Sequence, residues 1–489
     1  MVTPEPDTPS RLELVPWIAV AAALGLGLVR FGNVFPDEGW YLQGGRLVAQ
    51  GLTPYRDFAF FQAPLGPYLF SLANGSFVGG RLLCLSFGLG AIALALDMAR
   101  HRGRAAMVWT ALMLVPATYT LRWYAVTRNI APAAFLLMLA LWLHDRLRGR
   151  LAWLCLLPMA LASTIRLSAT GGLAALVIRA WLKKTDRSQA PGPPGRLVVV
   201  VGLLLLALWG PFATLGPDRL VFNNLLYHTG LHGGASPLDQ LRSKVQGIVR
   251  LADHHHLAAF LLLVLVVQAV RHRSGGWSTG DPGVGACATT VLAVTALHLV
   301  PGRLHPEYHE LVLPPLAVAL GVAVSRIELG RLSRAVALVL ALTGLLGART
   351  QLYAVTGWNP AHVSQIGQTI ARLCGPTDAV LTFVPDFALA ADRPLWPGFE
   401  MASVSLAHPS LPAPSRRRFH MVDLSEIATI LASGGPRVVV WRDLADADQR
   451  RVALYTGAER AGVQRALGAS YRLVESRAGW DIYSRKGPE

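Results

Sequence analysis

Phe35–Phe58 reads FPDEGWYLQGGRLVAQGLTPYRDF and follows directly on the first long apolar run of the chain, residues 12–31. Two adjacent carboxylates, Asp37 and Glu38, thus stand at the end of a segment long enough to cross a bilayer. An ionised acid beside hydrocarbon is costly, so this position asks for a structural or a chemical role. Pro36 and the two acids suit the first turn of a helix and Gly51 suits its end. Pro54 then fixes a turn in LTPYRDF, and Pro64 opens a second helix. A helix-start acid facing the headgroups would by itself account for Asp37.

The surroundings are those of a membrane protein. Of 489 residues 53% are hydrophobic and only 15% charged, with a mean hydropathy of +0.41, whereas a soluble chain carries about 25% charge. Apolar runs at 12–31, 80–99, 105–121, 129–143, 151–164, 169–182, 196–214, 256–270, 283–300, 311–326 and 334–350 predict a polytopic α-helical membrane protein of about 11 transmembrane helices. The first run has neither a basic stretch before it nor a small-residue cleavage site after it, and reads as a retained anchor. The net charge of +16 would suit a nucleic acid, but the Lys and Arg residues fall in short clusters between apolar runs. That is the pattern that orients a membrane protein, so no nucleic-acid partner is expected. Cys84, Cys155 and Cys287 lie inside apolar runs and Cys374 stands alone, with neither disulfide-framework nor zinc spacing.

With the N-terminus inside, RHRGR (100–104), HDRLRGR (144–150), KKTDRSQAPGPPGR (183–196), RHRSGGW (271–277) and RIELGRLSR (326–334) become cytoplasmic. They hold 15 Lys and Arg, against 10 in the much longer connectors of the other side. The first loop (32–79), the loop 215–255 and the tail are then expected outside the plasma (inner) membrane. Counting PLGPYLFSLANGSFVGG (64–80) as a span would invert every later connector, so it is expected as a juxtamembrane or re-entrant helix. Two domains follow: a transmembrane domain, 1–350, and a small extracytoplasmic α/β domain, 351–489. In the tail, PAHVSQIGQTIARLCG and DLSEIATILASGG read as helices, DAVLTFVP and RVVVW as strands and YRLVESRAGWDIYSR as a hairpin, with SLPAPSRRRF (410–419) an irregular loop.

The acidic pair after the first span, Tyr41, Gly51, Pro54, Tyr55, Asp57 and the Pro64 helix together resemble the GT-C superfamily. The branch most similar contains protein O-mannosyltransferases and bacterial lipid A aminoarabinose transferases. GRLLCLSFGLGAIALALDMARHRGR, entered through Arg81 and left into a basic loop, continues the likeness. The resemblance implies a polyprenyl-phosphate sugar donor and transfer on the non-cytoplasmic face to a glycan, lipid or protein acceptor. Asp37 would then orient or deprotonate the acceptor. A single inverting displacement needs a carboxylate near the nucleophile and positive charge around the departing phosphate. Glu38 could share that role, but adjacent helical residues point about 100° apart, so one acid faces the site.

The resemblance also points to Arg166 in LASTIRLSATGG as a donor-phosphate ligand, its guanidinium being a bidentate fork; the competing reading is an interfacial anchor. Where relatives place a second acid, RWYAVTRNIAPAAF carries Arg128 and Asn129, which leaves Asp37 more of the chemistry or brings in Asp57. Arg128 is either a phosphate contact or a helix-end cation. In FNNLLYHTGLHGG (222–234), Tyr227 and His228 read as cavity residues or as part of an amphipathic interfacial helix. GRLHPEYHELVLPPLAVALG crowds Arg303, His305, Glu307, Tyr308 and His309 at one span end. Arg303 and His305 suit the donor phosphate, and Glu307, Tyr308 and His309 suit the cavity wall, against ordinary interface anchoring. A divalent cation (Mg or Mn) is compatible with His305, Glu307 and His309, whose spacing is no recognised signature. His254, His255 and His256 point in different directions and do not converge on a metal. The rival from another class is a transporter or lipid flippase, which would gather its ionisable residues near the membrane midplane rather than at outer span ends.

Overall fold

The computed structural model describes residues 8–35, 37–182, 193–230, 236–271, 281–300, 304–347, 351–352, 360–442 and 455–487. Its contacts divide the chain into two units, one from Met1–Gly32, Arg81–Pro211 and His232–Thr356, the other from Asn33–Gly80, Phe212–Leu231 and Gly357–Glu489.

The first unit is helical. Each of the eleven apolar runs contains a helix, from Val15–Phe31 and Phe77–Arg100 to Arg331–Leu346. Three helical stretches, Arg11–Phe31, Phe77–Arg100 and Pro194–Thr214, are long and apolar enough to cross a membrane alone. One expected span is corrected: 105–121 is not continuous, because the helix Arg104–Leu114 stops ahead of Pro116 and a separate helix, Thr118–Ala125, follows. Proline supplies no N–H and disfavours helix in the residue before it. Thr118–Ala125 meets Ile130–Arg146 at a bend of 106°. Pairs of helices approach at small residues, as a bilayer interior favours. At Gly321 an added Cβ would lie 2.4 Å from Thr110 Oγ1, and that hydroxyl donates to Ala106 O (2.8 Å) and approaches Ala317 O (3.2 Å). Val198, Val199, Leu203 and Leu206 leave one helix face apolar and exposed, the surface a lipid-facing segment requires.

One end of this unit is closed by an ion cluster. Arg102 meets Asp145 (2.6 Å) and Asp281 (2.8 Å), joining three of the basic connectors or their flanks. Burial alone would lower the pKa of Arg102, but its two aspartates raise it above the ordinary value. Ile130–Arg146 runs from Arg128 and Asn129 to Asp145, and Pro282–His298 runs from Asp281 to His298. Arg128 and His298 therefore stand at the opposite end from this cluster, one helix length or roughly 25 Å away.

The second unit holds a four-stranded sheet of order β1-β2-β4-β3, with β1 Val380–Thr382, β2 Val438–Trp441, β3 Tyr471–Arg477 and β4 Trp480–Arg485. β1 and β2 are parallel and the β3–β4 hairpin adds on antiparallel. Alternation sends Leu381, Val439 and Trp441 to one core, with Leu424 and Ile427, and Val380, Val438 and Val440 to the other, with Val363, Ile366 and Ile370. Three tail segments hold helices that the sequence reading did not place, one of them Gly457–Ser470. SLPAPSRRRF contains a helix, Ala413–Arg418, started after Pro412, and VPDFALAADRP contains another, Pro385–Ala391, with proline in its first turn. The sequence also suggests a tail separate from the first loop, whereas loop and tail share a core: Val34 packs with Ile366, Ile370 and Phe387. Residues 64–80 hold a short helix, Leu65–Phe70, and the first turn of Phe77–Arg100.

Candidate functional site

In the second unit, Asp37 occupies the cap position of the helix Glu38–Ala49 and is half-buried. Glu38 is fully buried (0% exposed), and its Oε1 accepts from the Phe35 N–H at 2.9 Å. Glu38 thereby fastens the entry to its own helix, so the two adjacent acids have different jobs. Tyr41 is packed among Trp40, Phe60 and Phe70, with Trp40 stacked on Phe60 at 4.6 Å between centroids. The helix ends before Gly51, whose φ of 86° reverses the chain.

The turn beyond is tied internally. Asp57 accepts from the Thr53 N–H (2.8 Å) and pairs with Arg56 (2.7 Å); the hydrogen bond from Arg56 holds its carboxyl below the ordinary range. The Tyr55 hydroxyl donates to Gln62 O (2.6 Å) and accepts from Asn224 Nδ2 (3.1 Å), and burial keeps it protonated by raising its pKa. Asn223 Oδ1 accepts from the Phe60 N–H (3.2 Å), Tyr227 stacks on Phe61 at 3.4 Å, and His228 Nε2 lies 2.7 Å from Phe61 O. Residues 58–62 are thus held by one turn of π-helix, Phe222–Leu226, and the helix after it. Such turns cost stability and recur where a protein aims side chains for function. Tyr55, Asp57 and His228 are all brought to this loop.

In the first unit the basic and polar residues of three separate connectors converge. Arg128 is 5% exposed, lies 5.0 Å over the Trp123 ring and pairs with Glu307 at 3.6 Å. Arg166 is 6% exposed, donates to Asn129 Oδ1 at 2.9 Å and lies 4.5 Å over the ring of Tyr308. Asn129 in turn donates to Ile165 O at 3.1 Å, which fixes the Arg166 corner. His305 approaches Glu307 at 3.7 Å and stacks obliquely on Tyr308. His309 faces His298 at 5.4 Å between ring centres, and His298 Nε2 lies 2.9 Å from Ser168 Oγ. Burial pushes the pKa of His309 below its ordinary value. Beneath the cluster Glu310, 0% exposed, meets His255 at 2.7 Å, while its backbone carbonyl accepts from Tyr124 OH at 2.8 Å.

Arg128, Arg166, His305, Glu307, Tyr308 and His309 therefore assemble as one group; Arg303 lies outside the described residues. Two buried guanidiniums backed by aromatic rings, with Glu307 beside Arg128, have the chemistry that suits a phosphate or another compact anion. Among the described residues there is no group of three or more His, Cys, Asp and Glu placed to hold a metal ion. Sequence reasoning did not single out His298, Glu310 or Asp386, and it considered His255 only as part of a histidine run that does not converge on a metal. The signal for Glu310 was its place in the crowded run beside His309. His298 and Asp386 are brought in by folding from positions without local distinction.

No family model matches the chain, and no curated protein matches its sequence. Solved structures do match. The crystal structure of ArnT from Cupriavidus metallidurans bound to undecaprenyl phosphate superposes with a TM-score of 0.68 at 17% identity, over 98% of this chain and 100% of that one. The apo ArnT of the same organism gives 0.66 at 15%, over 98% and 99%. The arabinofuranosyltransferase AftD from Mycobacteria gives 0.50 at 17%; 99% of this chain is covered but only 40% of that one. At such identities the likeness is one of fold, and it spans the membrane helices and the tail alike. The chain therefore shares the fold of the two ArnT structures over 98% of its length.

Proposed function

We propose that the protein is a membrane glycosyltransferase that takes a sugar from a polyprenyl-phosphate donor and passes it to an acceptor on the non-cytoplasmic face of the plasma membrane. The observation that carries this reading is the buried pair Arg128 and Arg166 at one end of the helical unit, in a chain whose full length follows the fold of a protein crystallised with undecaprenyl phosphate. Burying two guanidiniums costs several kcal/mol unless negative charge and hydrogen bonds compensate them; Glu307 lies 3.6 Å from Arg128, and Asn129 accepts from Arg166 at 2.9 Å. A lipid phosphate is an anion that two such forks are suited to hold.

In the reaction, an acceptor oxygen attacks the anomeric carbon while the bond from that carbon to the phosphate oxygen breaks. The acceptor proton passes to the Asp37 carboxylate, and the phosphate leaves with one more negative charge than it had as a diester. Arg128 and Arg166 stabilise that developing charge, in surroundings too dry for water to do so. His305 and His309 act as hydrogen-bond partners for donor oxygens, with Glu307 orienting His305. Glu38 serves the fold of the first-loop helix rather than proton transfer.

Reconstituted full-length protein, radiolabelled undecaprenyl-phosphate pentoses and hexoses, and a cell-envelope extract as acceptor source test the reading. Release of undecaprenyl phosphate together with labelled product is the expected result. Movement of intact lipid between leaflets without bond cleavage would make the protein a flippase.

A further inference from the structure

The helix that begins beside Asp37 is matched along one face by a helix of the tail. Gly39, Leu42 and Arg46 lie on one side of Glu38–Ala49, at the i, i+3, i+7 spacing of a single stripe. Each has its counterpart on or just after Pro385–Ala391. A Cβ on Gly39 would stand 2.1 Å from Asp386 Oδ2 and 2.7 Å from the Asp386 nitrogen, so only glycine admits the approach. Leu42 packs with Leu389, and Arg46 Nη2 meets Asp392 Oδ1 at 2.8 Å. The two helices thus run in the same direction and in register, and the short one splints the longer.

Asp386 is 1% exposed, a position a carboxylate occupies only where the surroundings compensate its charge. It lies against the second residue of Glu38–Ala49, at the amino end where the aligned peptide dipoles present positive charge. Asp37 is the residue just before that turn. We propose that Asp386 is a positioning residue for Asp37: by fixing the amino end of the first-loop helix, the tail sets where the Asp37 carboxylate meets the acceptor. This rests on the proposed glycosyl transfer, and it makes the tail part of the catalytic apparatus rather than an accessory binding module.

The test compares full-length wild type with Asp386→Asn, both reconstituted and checked for a single monodisperse species, in the undecaprenyl-phosphate release assay. Asparagine keeps the shape and removes the charge. The expected result is a fall in kcat of about tenfold with KM for the lipid donor unchanged, since misplacing a reacting group slows turnover without weakening donor binding. Equal kcat, or a raised KM at equal kcat, overturns the proposal. Should Asp386→Asn fail to fold, Arg46→Ala releases the exposed far end of the splint. It is then expected to lower kcat roughly threefold at constant KM, and an unchanged kcat overturns the proposal. A wild type that releases no lipid phosphate overturns the assigned activity, and with it this role. A working wild type matched by the variant overturns the role of Asp386 alone.

Discussion

Arg166 lies over the ring of Tyr308, 4.5 Å from its centre, while Asn129 takes one of its N–H groups at 2.9 Å. Ring and amide together hold the guanidinium plane in one orientation, which matters only if something planar or bidentate is to be met. Arg166→Lys keeps the charge and discards the fork. It is expected to lower kcat/KM for the lipid donor by roughly tenfold or more, about 1.4 kcal/mol or above, with the protein still folded. An unchanged kcat/KM would place the phosphate elsewhere.

Glu38 accepts from the Phe35 N–H and is fully buried, so its loss strands a backbone donor and hollows the helix entry. Glu38→Ala is expected to destabilise the second unit by about 1–3 kcal/mol, seen as a lower thermal midpoint. The surviving folded fraction should keep much more activity than Asp37→Asn does. Activities equally abolished in both variants, at unchanged stability, would make Glu38 a reacting group.

Much of this was legible in the sequence. Hydropathy placed the apolar helices but not the amphipathic Pro237–His254, which lies in the expected loop 215–255, and the clustered ionisable residues of 122–135, 166 and 302–310 pointed to the group now seen around Arg128 and Arg166. Period-two and amphipathic patterns found the sheet and two helices of the tail, Pro360–Leu373 and Leu424–Ala432. The break at Pro116 was missed because the apolar pattern continues across it, so composition alone read one span. Ala413–Arg418 was missed because Ser, Pro and three arginines carry no apolar stripe. The contact of Gly39 with Asp386 could not be read at all, since a glycine needed for close approach looks like any other until the approaching atom is known.

His255 and Glu310 form a buried pair at 2.7 Å, and Glu310 Oε2 has no hydrogen-bond partner among the described residues. Removing the imidazole leaves an uncompensated carboxylate under the arginine cluster. His255→Ala is expected to cost about 3–5 kcal/mol, with a marked drop in the temperature at which the purified protein loses its monodisperse peak. An unchanged midpoint would show that Glu310 is protonated or solvated and needs no partner.

Burial holds the pKa of His309 below its ordinary value of 6.5, with Arg166 and His255 pushing the same way against Glu310. The unfolded chain therefore binds this proton at a higher pH than the folded one, so stability is complete above 6.5 and falls as pH drops below it. The thermal midpoint should decline from about pH 7 to about pH 5 in wild type and decline less in His309→Gln. Parallel curves for the two proteins would remove His309 from the account.

The central claim is glycosyl transfer from a lipid phosphate with Asp37 taking the acceptor proton, and the most direct measurement is the initial rate of lipid-phosphate release by wild type and Asp37→Asn. Both proteins are used at full length and shown to be equally folded and inserted. The account predicts turnover by wild type and a loss of at least about a hundredfold in the variant, the scale of a positioned general base. Equal rates for the two proteins would contradict it.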